Sequence, residues 1–212
     1  MIYTLTSSIL LAYCSNKYLS NKRKEIGQIT YSTFTIYFLI ISLSILIYLK
    51  YGLTIDSLKY IFLLPFLIVI SIIDYKTTFI YDITIISGII IQGIILIGSI
   101  SIEDNFKSHI NALIIGFIVS FLLAKITKGL GDGDIGLIGL CSFVLGHNNE
   151  LFLIGLSFMI AFIYCIYIII MKNKSTKSKI PFGPFISLAT ILIMLTEKHI
   201  LTIYFDIIEK VL

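Results

Sequence analysis

Charge is what this sequence has least of. Asp, Glu, Lys and Arg make up 13% of the 212 residues, hydrophobic residues make up 58%, and the mean hydropathy is +1.02. A typical soluble domain carries roughly twice that charged fraction. The composition therefore excludes a soluble domain and reads as an integral membrane protein lying in a lipid bilayer. No internal repeat and no low-complexity linker interrupts the apolar runs. Cysteine is scarce as well: Cys14, Cys141 and Cys165 are far apart, form no C-x-x-C pair and fall in apolar stretches. That pattern excludes a disulfide framework and a zinc site and reads as buried free thiols. His109, His147 and His199 share no ligand spacing and are expected in outer loops or at interfaces, so no metal or other cofactor is expected. The net charge of +4 is modest and gives no reason to expect nucleic acid as a partner.

The fold class expected is all-α, a polytopic transmembrane helix bundle of about eight spans. Residues 1–28 read as a first span, Ile2 to Leu19, and a short basic loop containing Lys22, Arg23 and Lys24. No basic residue precedes that span and no small-residue cleavage site follows it, so it is read as retained. Residues 29–196 hold the remaining spans, about Thr30–Leu49, Leu58–Ile73, Ile83–Ile102, His109–Ile126, Ile135–Gly146, Leu151–Met171 and Pro181–Thr196. Pro65 should kink the third without destroying it. Residues 197–212 read as an amphipathic tail. Alternating sides from an outer N-terminus puts Lys17, Lys22, Arg23, Lys24, Lys76, Lys125, Lys128, Lys172, Lys174, Lys177 and Lys179 inside, eleven of the 16 basic residues. Lys50, Lys59, Lys107, Lys198 and Lys210 fall outside, and the inward bias supports the topology. Tyr31, Tyr48, Tyr51 and Tyr60, near span ends, read as interfacial anchors.

Within this apolar background the run KGLGDGDIGL, Lys128 to Leu137, places Asp132 and Asp134 among glycines at the mouth of a span. A carboxylate at the edge of a hydrophobic segment is costly, so its default reading is functional. The topology brings Asp74, at the end of the third span, to the same cytoplasmic face. Two carboxylates sharing a site cannot both ionise readily and can hold one proton between them. Such a pair can take a proton from water and give one to a scissile carbonyl oxygen, hydrolysing a peptide bond without a metal or covalent intermediate. Gly131 and Gly133, lacking side chains, allow an extended substrate to approach closely. The alternatives are capping of a helix N-terminus by Asp132 and Asp134, divalent-ion binding by the D-x-D pair, and a small transporter or channel using intramembrane aspartates.

Three segments together carry a resemblance. Gly129 to Leu137 is similar to the G-x-G-x-G-D-x-K-L segment of type IV prepilin peptidases, bacterial members of the GxGD aspartyl proteases. SIIDYKTTFIYD is similar to their other aspartate loop, and IPFGPFISLA, Ile180 to Ala189, to the P-F-G-P-F before their last helix. The resemblance covers roughly Ile29 to Leu195. It implies that Asp74 and Asp134 are the catalytic pair, with Gly131, Asp132, Gly133, Asp82, Pro181, Gly183 and Pro184 around the substrate. The register aligning Leu137, Gly139 and Gly146 selects Asp134 over Asp132. The implied substrate is a prepilin-like, single-span membrane protein, cut just before its hydrophobic helix at the cytoplasmic side of a bacterial inner membrane. Tyr81 replaces the family's usual proline, and Gly136 its usual lysine, which removes a cation near the pair. The paired-cysteine loop that longer members carry, associated with methylating the new amine, has no counterpart, so cleavage without methylation is expected. A Tyr81-Asp82 pair also resembles presenilin-like proteases, although PFGP stands where those carry P-A-L.

Overall fold

The computed structural model describes residues 2–26, 33–98, 103–146, 149–172 and 180–196, and among these every regular element is a helix. In chain order they are α1 (Ile2–Ile26), α2 (Thr33–Tyr51), α3 (Ile55–Thr77), α4 (Asp82–Ile97), α5 (Glu103–Thr127), α6 (Asp132–Leu145), α7 (Glu150–Lys172) and α8 (Gly183–Thr196). Among the described residues, four segments are long and apolar enough to cross a bilayer: α2, α3, Phe106–Thr127 of α5 and Glu150–Ile170 of α7. The helices α4 and α8 are shorter apolar helices. Residues 27–32, 99–102, 147–148, 173–179 and 197–212, which include His147, His199, the basic run after Lys172, Tyr31 and the expected tail, lie outside the described residues.

Two boundaries differ from the sequence reading. The basic stretch after Leu19 is the last turns of α1, not a loop. Lys, Arg and Glu are good helix formers, and cations favour a helix C-terminus. Glu103 likewise opens α5 and does not belong to a loop; acids favour that end of a helix.

The core is built on α3 and α6. Most of α3 is buried, while α2, α5 and α7 turn most of their surface outward. A capping box starts α3: the Ser57 N–H donates to Thr54 Oγ1 and the Thr54 N–H to Ser57 Oγ. The helix runs on through Pro65 and ends where the N–H of Thr78, in the left-handed region at φ +52°, donates to the Asp74 carbonyl. With 14 residues α6 is about 21 Å long, short of a hydrocarbon core of roughly 30 Å. Nearly all its residues from Ile135 to Leu145 are buried, as expected of a helix apolar on every side. Small residues set its approach to its neighbours. A β-carbon on Gly88 of α4 would lie 2.8 Å from Leu140, and one on Gly116 of α5 would lie 2.7 Å from the Ser142 β-carbon. Ala12, Leu19, Ile36, Ile40 and Ile73 form a second apolar cluster joining α1 and α2 to α3.

A polar cluster closes the far end of this core. Lys59 is 3% exposed, pairs with Asp56 Oδ1 at 2.8 Å and lies 3.3 Å from His109 Nε2. His109 Nδ1 lies 2.6 Å from the Phe143 carbonyl, which only accepts, so Nδ1 carries the proton and Nε2 accepts from the ammonium. Gln92 of α4 donates to the Lys59 carbonyl. Thus His109, expected in an outer loop or at an interface, is buried in the bundle, because Lys59 and His109 satisfy each other across α3, α5 and α6. Tyr60, expected as an interfacial anchor, is also core, its ring edge-on to Tyr51 at 5.3 Å. Tyr51 directs its hydroxyl to the Met194 carbonyl.

Breaking this cluster from one side leaves a buried polar group unpaired, at about 1–3 kcal/mol. Lys59→Met and His109→Leu should each lower the thermal midpoint in detergent, and the double variant should lose less than the two singles summed. Strictly additive losses would show that the two side chains are not coupled.

Candidate active site

Asp74 sits in the last turn of α3 and is 4% exposed. Its Oδ2 accepts a 2.8 Å hydrogen bond from the N–H of Gly183, the first residue of α8. A β-carbon on Gly183 would come within 2.9 Å of that oxygen and 3.2 Å of the Asp74 β-carbon, so the approach demands glycine. Pro184 follows in the first turn of α8, where a missing N–H costs no helical bond.

Asp134 is held in a matching way. It is the third residue of α6, and its Oδ2 accepts from the N–H of Gly131, the N-cap, at 3.1 Å. Each carboxylate thus has one oxygen tied to the backbone N–H of a glycine at a helix N-terminus, where negative charge is favoured. Asp134 precedes the apolar run that begins at Ile135. Burial pushes its carboxyl up to about 6, opposed by the Gly131 N–H and aided by the negative charge of Asp74. Burial disfavours the charged form, and a like charge nearby does so again.

The two aspartates face common space. A cavity of about 880 Å³ is lined by Asp74, Asp134, Lys128 and a wall of Phe158, Phe162 and Phe182. A second, of about 300 Å³, is lined by Asp74, Asp134, Asp82, Asp132, Phe79 and Gly133. Asp132 is exposed and lines only the smaller cavity, whereas Asp134 lines both. Asp82 opens α4, whose N-cap, Tyr81, makes no side-chain capping bond. Gly131 lines both cavities and Pro181 the larger one. Lys128 and Thr78, both in the left-handed region at φ +52°, end the helices that lead into the site. Such non-glycine conformations cost about 1–2 kcal/mol and cluster where function requires them.

The space over Gly133 is filled by Ile80, whose β-carbon would lie 2.7 Å from a β-carbon there. At Gly136, where the resemblance expects lysine, a β-carbon would meet the mobile end of Ile85, its Cδ1, at 2.8 Å, since α4 packs on this face of α6. Among the described residues, the cation that lines the site is Lys128. Sequence reasoning missed that lysine, the aromatic wall from α7, and Gly183 as the donor to Asp74. Of these, the Phe158, Phe162 spacing along one helical face was the legible signal. The cysteines also divide: Cys141 is buried as expected, whereas Cys14 is exposed and Cys165 partly exposed into the larger cavity. Among the described residues, no group of three or more His, Cys, Asp or Glu side chains is placed to hold a metal ion.

The two glycines of α6 should differ on substitution. Gly133→Ala drives a methyl onto the Ile80 β-carbon, which cannot rotate away, and should cost about 1–3 kcal/mol. Gly136→Ala meets only the mobile end of Ile85 and should cost less. Thermal midpoints in detergent compare them; an equal or reversed order would contradict the packing described.

No curated protein and no solved structure matches the chain. Residues 61–166, half of its length, match the type IV leader peptidase family. That range contains Asp74 and the whole loop from Lys128 to Asp134, and stops short of Pro181. With its helical, apolar architecture and this match, the chain belongs to the type IV leader peptidase family, as a multi-pass membrane protein.

Proposed function

We propose that this peptidase is an aspartyl endopeptidase that removes the short basic leader of prepilin-like, single-span proteins at the cytoplasmic face of a bacterial inner membrane. The observation that carries the reading is the placement of two carboxylates, from α3 and α6, on one cavity with one oxygen of each tethered. Tethering leaves the second oxygen of each for water and substrate.

Burial pushes the Asp134 carboxyl up to about 6, and we assign it the shared proton, with Asp74 as its ionised partner. Asp74 takes a proton from a water whose oxygen attacks the scissile carbonyl carbon, while Asp134 gives its proton to the carbonyl oxygen. In the second half Asp74 returns its proton to the leaving amine nitrogen, the C–N bond breaks, and Asp134 recovers a proton from the collapsing diol. Water is consumed and both carboxyls end as they began. Nothing in this cycle methylates the new amine, and the product is expected to leave with it unmodified. The transporter alternative is disfavoured because Asp74 lies in the last turn of α3 and Asp134 in the first turn of α6. A transporter's acids are expected near mid-membrane in interrupted helices.

Co-expression with a single-span prepilin tests the reading by the size shift of the product. Asp74→Asn and Asp134→Asn should each lower processing about a hundred- to ten-thousand-fold, and Asp132→Asn far less. Gly183→Ala should slow processing by displacing the Asp74 carboxylate without unfolding α8. Loss in Asp132→Asn with processing intact in Asp134→Asn would reverse the assignment. Processing that survives all the aspartate changes would end the aspartyl reading.

A further inference from the structure

The two cavities are halves of one groove. They share Asp74, Thr78, Gly131 and Asp134, so the aspartates stand at their junction. Their linings differ in kind. The larger half is walled by Phe158, Ala161, Phe162 and Cys165 of α7 and by Phe182, with Phe158 and Phe182 in ring contact at 4.9 Å. Among the described residues, its charge beyond the shared pair is the cation Lys128. The smaller half adds Asp82 and Asp132 to the pair, and among the described residues no Lys or Arg lines it. Lys22 lies over the ring of Tyr81 at 4.6 Å, and Tyr81 does not line that half.

Phe162 lines the larger half and is also 65% exposed on the outer face of α7, beside Met159 and Ile163. The larger half is therefore continuous with the lipid-facing surface. An apolar helix has a route into it from the bilayer, whereas a cationic segment does not.

We propose that the substrate binds in one direction, with the start of its apolar helix in the α7 half and the basic leader in the half formed by Asp82 and Asp132. The assignment rests on the leader-peptidase reading and adds to it the polarity of the groove and two residues that set leader specificity. In this direction a leader Lys or Arg meets two carboxylates. In the reverse direction it meets Lys128 among phenylalanine rings and loses water without a partner, so the wrong orientation is rejected as well as the right one attracted. Asp82 comes from the start of α4 and Asp132 from the start of α6, so both are presented by fixed helix ends. With the helix start in the larger half and the leader in the smaller, the scissile bond falls at their junction, where the aspartates stand.

Cross-linking with a short bismaleimide reads the direction without turnover. The chain carries Cys14→Ser, and Asp74→Asn to stall cleavage. One substrate has a single cysteine one helical turn after the scissile bond, and another has it just before. The first should join native Cys165; the second should join Phe79→Cys in a Cys165→Ser background. The crossed pattern, or equal yields from both probes at either position, overturns the proposal. Kinetics with active protein give a second reading. Asp82→Asn with Asp132→Asn should raise KM for a lysine-bearing leader about two- to tenfold, as rim charges do. The same change should narrow the preference over a glutamine-bearing leader. An unchanged preference counts against the two residues. Failure of wild type to cut either leader counts against the peptidase reading itself, while the cross-links still report direction.

Discussion

Removing two carboxylates from water is the constraint on which the rest of this structure depends. An aspartate buried without help costs several kcal/mol and reprotonates. Here the help is partial by construction. One backbone N–H reaches one oxygen of each group, from Gly183 to Asp74 and from Gly131 to Asp134. One N–H apiece, at a helix N-terminus, holds the carboxyl in place without supplying the two or three bonds that would make it a strong acid. Burial then wins at Asp134, whose carboxyl is pushed up to about 6. A group poised there can hold a proton and give it up, which a solvated aspartate cannot do near neutrality.

That arrangement requires three helix ends to meet within a few ångströms, and the bundle supplies them through its glycines. Gly183 has to lie against Asp74, Gly133 against Ile80, and Gly136 against Ile85. Each contact replaces a side chain by a neighbouring helix or loop, so α4, α6 and α8 converge on the end of α3. Seen this way, Gly136 is part of the packing and not simply a lost lysine. Lys128, held at a left-handed turn at the end of α5, brings a cation to the site by another route. The Lys59 and His109 cluster does the complementary work about 22 Å away along α3, fixing the opposite ends of α3, α5 and α6.

Much of this was legible in the sequence, and unevenly so. Helix count and order follow from long apolar runs separated by turn residues, because a bilayer leaves the backbone few other options. Asp74 and the GDGD loop stood out since charge is rare here and its placement therefore informative. Helix ends were less legible. The basic end of α1 and the acidic start of α5 look like loops in composition, yet charged residues of those signs stabilise those helix termini. His109 and Tyr60 were misplaced for a related reason: a polar side chain near a span end faces headgroups unless a partner from another helix waits for it, and that partner is a tertiary fact. Gly183 as a donor to Asp74 is of the same kind, a contact between residues 109 positions apart.

The central claim is that Asp74 and Asp134 titrate as one system. Infrared difference spectroscopy across pH 4 to 8 on the protein in lipid measures it directly, through the C=O stretch of a protonated carboxyl. The account predicts a band lost near pH 6 in wild type, absent in Asp134→Asn, and moved to lower pH in Asp74→Asn, where a neutral amide no longer opposes ionisation of Asp134. A band near pH 6 that persists in Asp134→Asn, or one that keeps its position when Asp74 is neutralised, would contradict it.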